Sequence, residues 1–255
     1  MAEAREFADR VRAREAVVGY WMTLDAPPAA ERIARLGYDY VCFDAQHGLF
    51  GYAGMLHGLL AVQAGGASVG LVRVGANDPY HIGRALDAGA SGVIVPLVDS
   101  AEQAEAAVRA TRYPPSGVRS YGPMRSGLRI GPTPAVSNES VVCLAMIETR
   151  SGLEHVEEIC RVPGLAGVYV GPSDLTLGIG GAAPGDPEVA EAFTAALARV
   201  AAAAADAGVA AGVHTASGEQ AAERLAQGFT LATVSSDVAH LEQAAAAHLG
   251  RVRTP

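Results

Sequence analysis

Eight short apolar segments recur along the chain, and longer amphipathic stretches separate them. Each apolar segment is rich in valine and apolar nearly throughout, as strands covered on both faces tend to be. The predicted strands are residues 16–22, 40–45, 69–74, 92–98, 141–148, 167–172, 209–215 and 229–235. Because strands buried on both faces need helices to cover them, this alternation favours an α/β fold with a parallel sheet.

The stretches between the strands have apolar residues spaced three or four apart, which predicts amphipathic helices. The predicted helices are residues 28–37, 79–90, 100–111, 151–164, 187–208, 217–228 and 238–252, after a charged N-terminal segment that is also helical in character. Ser100, Ser151 and Ser217 each precede a helix, as N-cap residues do. Glycine follows several helices, at positions 37, 89, 208 and 228, where a left-handed C-terminal residue is expected.

An alternation of this kind over 255 residues has the size and rhythm of a (β/α)₈ TIM barrel. We predict a single domain of this class over residues 1–255. A doubly wound open sheet is the alternative, and it is disfavoured because no Gly-x-Gly-x-x-Gly motif follows the first strand. The longest connection, residues 113–140, is rich in proline and glycine, and a loop of that length is usually functional or a lid.

All 19 basic residues are arginine, because the chain contains no lysine. The protein therefore cannot form a lysine Schiff base with a carbonyl substrate or with pyridoxal phosphate. A formal net charge of −8 argues against nucleic acid as a partner. No apolar run is long enough to cross a membrane, and the charged N-terminus does not resemble a signal peptide. The three cysteines, Cys42, Cys143 and Cys160, are widely spaced and are predicted to be reduced core thiols of a cytoplasmic protein.

Four of the predicted strands end in polar side chains, at the end of a barrel where chemistry takes place. These residues are Asp44, Gln46 and His47 after strand two, Arg73 in strand three, Glu148 at the end of strand five, and Ser173 and Asp174 after strand six. Each has a structural explanation when taken alone, and Arg73 could simply pair with Asp44 or Glu148. A packed core has no reason to collect the whole set, so together they indicate an active site. His214, at the end of strand seven, is a weaker candidate.

The residue types at these strand ends fit the chemistry of an enolate. Glu148 and Asp174 offer carboxylate oxygens without nearby Cys or His, which suits Mg²⁺ or Mn²⁺ completed by water and substrate oxygens. Successive backbone N–H groups after Gly171 suit a carboxylate. Arg73 can stabilise an oxyanion, and His47 can move a proton. With no lysine available, a divalent metal is the expected electron sink for a 2-oxo acid.

Five segments resemble the HpcH/HpaI aldolase family, the divalent-metal-dependent class II aldolases that act on pyruvate. They are DAQHG (44–48), NDPYHIGRALDAGASGVIVPLV (77–98), RATRYPPSGVRSYGP (109–123), MIETRSGLEHVEEI (146–159) and VYVGPSDLTLGIG (168–180). The resemblance implies a barrel of the phosphoenolpyruvate/pyruvate type with Mg²⁺, Mn²⁺ or Co²⁺ as cofactor. It also implies a homohexamer, built as a trimer of dimers that exchange the C-terminal helix, about residues 237–250.

The same resemblance implies roles for individual residues. Glu148 and Asp174 would bind the metal, and Arg73 would stabilise the enolate. His47 would transfer a proton through metal-bound water, with Asp44 and Asp87 as its partners. The residues expected around the substrate are Gly171, Pro172, Ser173 and Gln46. Many family members have glutamate where this chain has Gln46. That difference is expected to alter the pKa or the water network of the base and to leave the metal site intact.

The predicted reaction is reversible aldol cleavage of a 4-hydroxy-2-oxo acid to pyruvate and an aldehyde. His47 would deprotonate the C4 hydroxyl, and Arg73 and the metal would stabilise the pyruvate enolate. Three arginines of the 119–131 segment, Arg119, Arg125 and Arg129, are expected near the mouth of the barrel. They form either a solvated loop or a recognition site for an acidic acceptor or a second carboxylate.

Two other functions stay open at the level of the sequence. The same barrel could run related enolate chemistry, such as oxaloacetate decarboxylation, citrate-type condensation or acyl-CoA cleavage. It could also be a catalytically silent barrel that serves as a binding or assembly subunit, although Arg73, Glu148 and Asp174 are all present.

Overall fold

Eight parallel strands form a closed barrel in the computed structural model, which describes residues 2–66 and 68–253. The strands are β1 (Val17–Met22), β2 (Tyr40–Asp44), β3 (Val69–Arg73), β4 (Gly92–Val95), β5 (Val142–Ile147), β6 (Gly167–Val170), β7 (Ala210–Thr215) and β8 (Leu231–Ser236). Each strand pairs with the next one along the chain, and β8 pairs with β1. The predicted TIM barrel is confirmed, and an open doubly wound sheet is excluded because the sheet has no free edge.

Helices cover the outside of the barrel, and one closes its amino end. The α-helices are α1 (Ala2–Arg12), α2 (Pro27–Ala34), α3 (Tyr52–Gly65), α4 (Pro79–Asp87), α5 (Ala101–Thr111), α6 (Ser126–Arg129), α7 (Pro134–Ser140), α8 (Arg150–Glu154), α9 (Val156–Cys160), α10 (Pro172–Gly178), α11 (Ala190–Ala207), α12 (Gly218–Ala226) and α13 (Asp237–Arg253). A turn of 3₁₀ helix, Pro187–Val189, leads into α11. Within the described ranges, no helix is long and apolar enough to cross a membrane.

The helix ends follow the predicted capping residues with one exception. Ser100 and Ser217 accept hydrogen bonds from backbone N–H groups in the first turns of α5 and α12, as predicted. Ser151 instead lies inside α8, whose N-cap is Thr149. The Thr149 hydroxyl accepts a hydrogen bond from the N–H of Gly152 at 2.9 Å. α8 therefore begins earlier than a helix capped by Ser151 would begin.

Three helical segments differ from the periodicity of the sequence. α3 is not anticipated, because its glycines and apolar residues are not confined to one face. The helix predicted over 151–164 is divided at His155 into α8 and α9. The long 113–140 connection contains α6 and α7, and so it has secondary structure of its own.

The barrel has two apolar cores, one inside the ring of strands and one between strands and helices. Phe7 and Val11 of α1 pack onto the inner core from the amino end, so the carboxyl ends of the strands are the open face. Glycine makes room for large side chains inside: a Cβ on Gly19 would lie 2.1 Å from the ring of Tyr40. The three cysteines are free and buried, as predicted, and burial raises the pKa of each thiol.

Candidate active site

Asp44 and Arg73 form a buried ion pair at the carboxyl ends of β2 and β3. The strand register places the two residues side by side, and they are 2% and 8% exposed. Arg73 Nε donates to Asp44 Oδ1 at 2.9 Å, and Nη2 donates to Oδ2. The indole N–H of Trp21 also donates to Oδ2, at 3.2 Å. Arg73 is thus held at two nitrogens, while Nη1 has no hydrogen-bond acceptor among the described residues.

The charges of this pair are fixed by their mutual contact. Burial by itself raises the pKa of Asp44, but the hydrogen bonds and the positive charge of Arg73 outweigh it, and the pKa lies below its usual value. Burial likewise lowers the pKa of Arg73, and Asp44 reverses the shift. The result is a permanent cation with one free N–H edge at the mouth of the barrel.

The loop after β2 is held by the same carboxylate. Asp44 Oδ1 accepts hydrogen bonds from the backbone N–H groups of Gln46 and His47, each at 3.1 Å. The imidazole of His47 is exposed and makes no hydrogen bond with Asp44, so the carboxylate orients the backbone of His47 and not its ring. Gln46 is partly buried, and its Oε1 has no hydrogen-bond donor among the described residues.

Glu148 follows β5 and is 2% exposed. Its Oε1 accepts a hydrogen bond of 2.8 Å from the N–H of Leu97, a residue with a left-handed φ of 54°. Its Oε2 is buried and has no hydrogen-bond partner among the described residues. Burial raises the pKa of Glu148; the Leu97 N–H opposes the shift, and the nearby charge of Asp174 adds to it.

The unpaired oxygen of Glu148 lies against the start of α10. A Cβ on Gly171 would be 2.4 Å from Glu148 Oε2, so only glycine leaves this oxygen free. Asp174, in the first turn of α10, is exposed. A buried carboxylate oxygen without a donor, beside a second carboxylate, fits a divalent cation bound by oxygen ligands. Among the described residues no group of three or more His, Cys, Asp or Glu could hold a metal, so water or substrate would complete the coordination.

A cavity of about 280 Å³ opens at the carboxyl ends of the strands. It is lined by Trp21, Thr23, His47, Arg73, Met146, Tyr169, Gly171, Pro172, Ser173, Asp174, His214 and Ser236. The structure therefore brings together most of the residues that the sequence indicated, and the cavity suits a small organic acid. Trp21 was not predicted from the sequence to be a site residue. The one signal that could have identified it as such is its position near the end of the first strand.

His214 is the weaker candidate from the sequence, and it faces this cavity from β7. Its ring meets the Trp21 ring edge-on, with centroids 5.4 Å apart. Burial lowers the pKa of His214 to about 4, and the charge of Arg73 contributes to the shift. The imidazole is therefore neutral at neutral pH.

Asp87 lies away from the cavity within one chain. It is the last residue of α4, and the chain from there enters the amino end of β4. Arg119 Nη2 donates to Asp87 Oδ1 at 2.7 Å. The structure thus brings Asp87 to Arg119 and not to His47.

The arginines of the 119–131 segment also lie away from the mouth. Arg119 is fully buried, and Arg125 donates to the carbonyl of Ala88 at 2.6 Å and to Gln63 Oε1 at 2.7 Å. Ala88 and Gln63 lie at the C-terminal ends of α4 and α3, where the chain returns to the amino end of the barrel. The expectation that Arg119 and Arg125 lie near the mouth is therefore wrong, because a helix-to-strand connection runs at the opposite face.

Residues 17–244 match the model of a family described as HpcH/HpaI aldolase/citrate lyase. The chain is 42% identical over 233 residues to a hydroxypyruvate/pyruvate aldolase of Rhizorhabdus wittichii, covering 91% of this chain and 92% of that protein. It is 34% identical over 250 residues to a 4-hydroxy-2-oxo-heptane-1,7-dioate aldolase of Klebsiella pneumoniae, covering 96% and 92%. A crystal structure of an HpcH/HpaI aldolase/citrate lyase family protein from Burkholderia cenocepacia superposes with a TM-score of 0.87 at 32% identity, covering 98% of this chain and 100% of that one.

Proposed function

The chain belongs to the HpcH/HpaI aldolase/citrate lyase family, and from this premise we propose that it cleaves a 4-hydroxy-2-oxo acid reversibly to pyruvate and an aldehyde, with a divalent metal ion. Its class is that of the class II pyruvate aldolases. The observation that carries the proposal is the buried, unpaired Oε2 of Glu148. It lies against Gly171 and near Asp174, and these two residues line a cavity together with His47 and Arg73. An oxygen-ligand pair, a fixed cation and a histidine are the parts that enolate formation needs.

Glu148 and Asp174 would hold Mg²⁺, Mn²⁺ or Co²⁺, since their oxygens are the hard ligands that such ions take. A cation bound there supplies a Lewis acid that polarises the 2-oxo group of the substrate. Of the two carboxylates, Glu148 is the one fixed in place, because the Leu97 N–H holds its other oxygen.

Ser173 and Asp174 present first-turn N–H groups that have no acceptor within α10. These groups would bind the carboxylate of the 2-oxo acid. The side chain of Arg73 cannot swing away, because Asp44 holds it at two nitrogens. Its free Nη1 would donate to the oxygen on which negative charge develops.

His47 would take the proton of the C4 hydroxyl. As the carbon–carbon bond between C3 and C4 breaks, C4 becomes the aldehyde carbonyl and the bonding electrons form the enolate. Arg73 stabilises the enolate oxygen, and the proton that His47 took from the hydroxyl passes through water to C3, which completes pyruvate. In the reverse direction His47 returns its proton to the new hydroxyl.

Two measurements test this assignment. Pyruvate release from 4-hydroxy-2-oxo acids is measured with a coupled dehydrogenase, and Mn²⁺ binding is measured by calorimetry. Glu148→Gln is expected to lose Mn²⁺ binding and to lower kcat/KM at least a hundredfold, because an amide cannot replace a carboxylate ligand. Glu158→Gln, on the exposed surface of α9, is the matched control and should behave as the parent chain. Faster turnover of oxaloacetate or an acyl-CoA than of any aldol adduct would move the assignment to the related enolate chemistry.

We also propose that α13 packs against another copy of the chain in a homo-oligomer, as the hexamer of exchanged dimers requires. None of its described residues is buried, and Leu241 and Val252 are 63% and 84% exposed. Light scattering should give a mass that is a multiple of 26.0 kDa, and removal of residues 238–255 should lower it. A full chain that is monomeric at micromolar concentration would contradict this proposal.

A further inference from the structure

The cavity has one side for the oxo acid and another side without an assigned ligand. Arg73, Glu148 and Asp174 come from β3, β5 and the connection after β6. On the other side of the ring, β7, β8 and β1 with the residue after it contribute four residues to the cavity, Trp21, Thr23, His214 and Ser236. The part of the substrate that becomes the aldehyde points to this second side, because the first holds the oxo acid.

Most polar groups on the second side are already bonded within the protein. The Trp21 N–H donates to Asp44, and the Thr23 hydroxyl donates to Asp237 Oδ1 at 2.7 Å. The hydroxyl of Ser236 accepts from the N–H of Ala239 at 3.3 Å. In this group of side chains, His214 alone has polar atoms that all lack a hydrogen-bond partner among the described residues.

The ring of His214 lines the cavity and packs edge-on against the Trp21 ring, with an angle of 75° between the two planes. A neutral imidazole has one donor nitrogen and one acceptor nitrogen. A hydroxyl group is likewise a donor and an acceptor, whereas a carboxylate requires donors alone. Since both nitrogens of His214 are unpaired among the described residues, this side of the cavity complements a hydroxyl better than a second carboxylate.

We propose that His214 is a specificity-determining residue that hydrogen-bonds a hydroxyl on the aldehyde half of the substrate. This inference rests on the proposed aldolase function. The preferred aldehydes are then small hydroxyaldehydes, and the preferred cleavage substrates are 4-hydroxy-2-oxo acids with a further hydroxyl beyond C4. An aldehyde with a methyl group in place of that hydroxyl leaves the imidazole unpaired in a partly buried site, which disfavours its binding.

Glycolaldehyde and propanal form the test pair, because they differ by a hydroxyl in place of a methyl group. The rate of aldol addition to pyruvate is measured with each, and the ratio of the two kcat/KM values is the readout. The parent chain should favour glycolaldehyde about tenfold or more. His214→Phe, which keeps an aromatic ring against Trp21, should bring the ratio close to one, and His214→Gln should restore part of the preference.

His57→Phe is the control, since His57 is exposed on α3 and does not line the cavity; its ratio should match that of the parent chain. A ratio that stays unchanged in His214→Phe would overturn the assignment, and so would a parent chain that prefers propanal. Exchange of pyruvate methyl protons by the parent chain separates the two claims. If the parent chain exchanges these protons and the kcat/KM ratio is unchanged in His214→Phe, only the role of His214 is refuted. If the parent chain does not exchange them, the aldolase function itself is refuted. If His214→Phe fails to fold, His214→Gln and His214→Leu supply the comparison.

Discussion

Gly171 leaves room for the unpaired oxygen of Glu148, because a side chain at this position would collide with it. Gly171→Ala would place a methyl carbon 2.4 Å from Glu148 Oε2 and 2.9 Å from Met146 Cε. The carboxylate must move, so we expect Mn²⁺ affinity to fall at least tenfold and stability to fall by about 1–3 kcal/mol. Calorimetric titration with Mn²⁺ and denaturant unfolding check this. Gly218→Ala is the control, because nothing lies within 4 Å of its Cβ; equal losses in both variants would contradict the explanation.

His214 predicts a pH dependence of stability. Its pKa of about 4 in the folded chain lies below the ordinary value of about 6.5 for histidine, so between these values the unfolded chain binds a proton that the folded chain does not. The folded state should therefore lose on the order of 2 kcal/mol from this residue as the pH falls from 7 to 5. Urea unfolding across this range should show a smaller acid loss for His214→Phe than for the parent chain. Identical slopes would contradict a neutral, partly buried imidazole.

The sequence predicted which polar residues lie at one end of the barrel better than it predicted their contacts. Arg73, Glu148 and Asp174 follow from the rule that chemistry lies at the carboxyl ends of barrel strands. Asp44 was expected to hold the imidazole of His47, and it binds Arg73 instead. That choice depends on strand register and side-chain geometry, because Asp44 and Arg73 are direct neighbours across β2 and β3 whereas His47 lies in the following loop.

At the scale of elements, apolar runs predicted all eight strands, because strands covered on both faces have a strong signal. α3 was missed because its apolar residues surround the helix. The arginines of the segment between α5 and β5 were expected at the mouth of the barrel. The order of helices and strands was enough to predict the opposite end. A connection from a helix to the next strand lies at the amino end of a barrel, whatever its composition.

This connection is anchored by Arg119, and its removal should destabilise the fold. The side chain is fully buried, pairs with Asp87 and lies over the Tyr113 ring at 4.5 Å. Arg119→Met leaves Asp87 without its partner, so we expect a loss of about 2–4 kcal/mol in denaturant unfolding. Arg129→Met, an exposed arginine of the same segment, should stay within about 0.5 kcal/mol of the parent chain. Similar losses for both would show that the Asp87 contact does not anchor the segment.

At the scale of the whole molecule, the barrel gathers residues that lie more than a hundred positions apart in the chain. His47 and Arg73 precede the long 113–140 connection, and Asp174 and His214 follow it. The closed ring brings all four to one cavity because each is at, or just beyond, the same end of its strand. The sequence could predict this gathering from the count of strands. It could not predict the side of the cavity that we assign to the aldehyde, since that assignment depends on which polar groups are already hydrogen-bonded within the protein.

The exchange of pyruvate methyl protons with deuterium, followed by NMR, tests metal-dependent enolate formation by this chain, because it requires no aldehyde. We expect exchange in the presence of Mg²⁺ or Mn²⁺, loss of exchange after treatment with EDTA, and recovery when the metal is restored. Glu148→Gln should show no exchange with either metal. Full exchange in EDTA-treated protein, or none in the metal-loaded parent chain, would contradict the account.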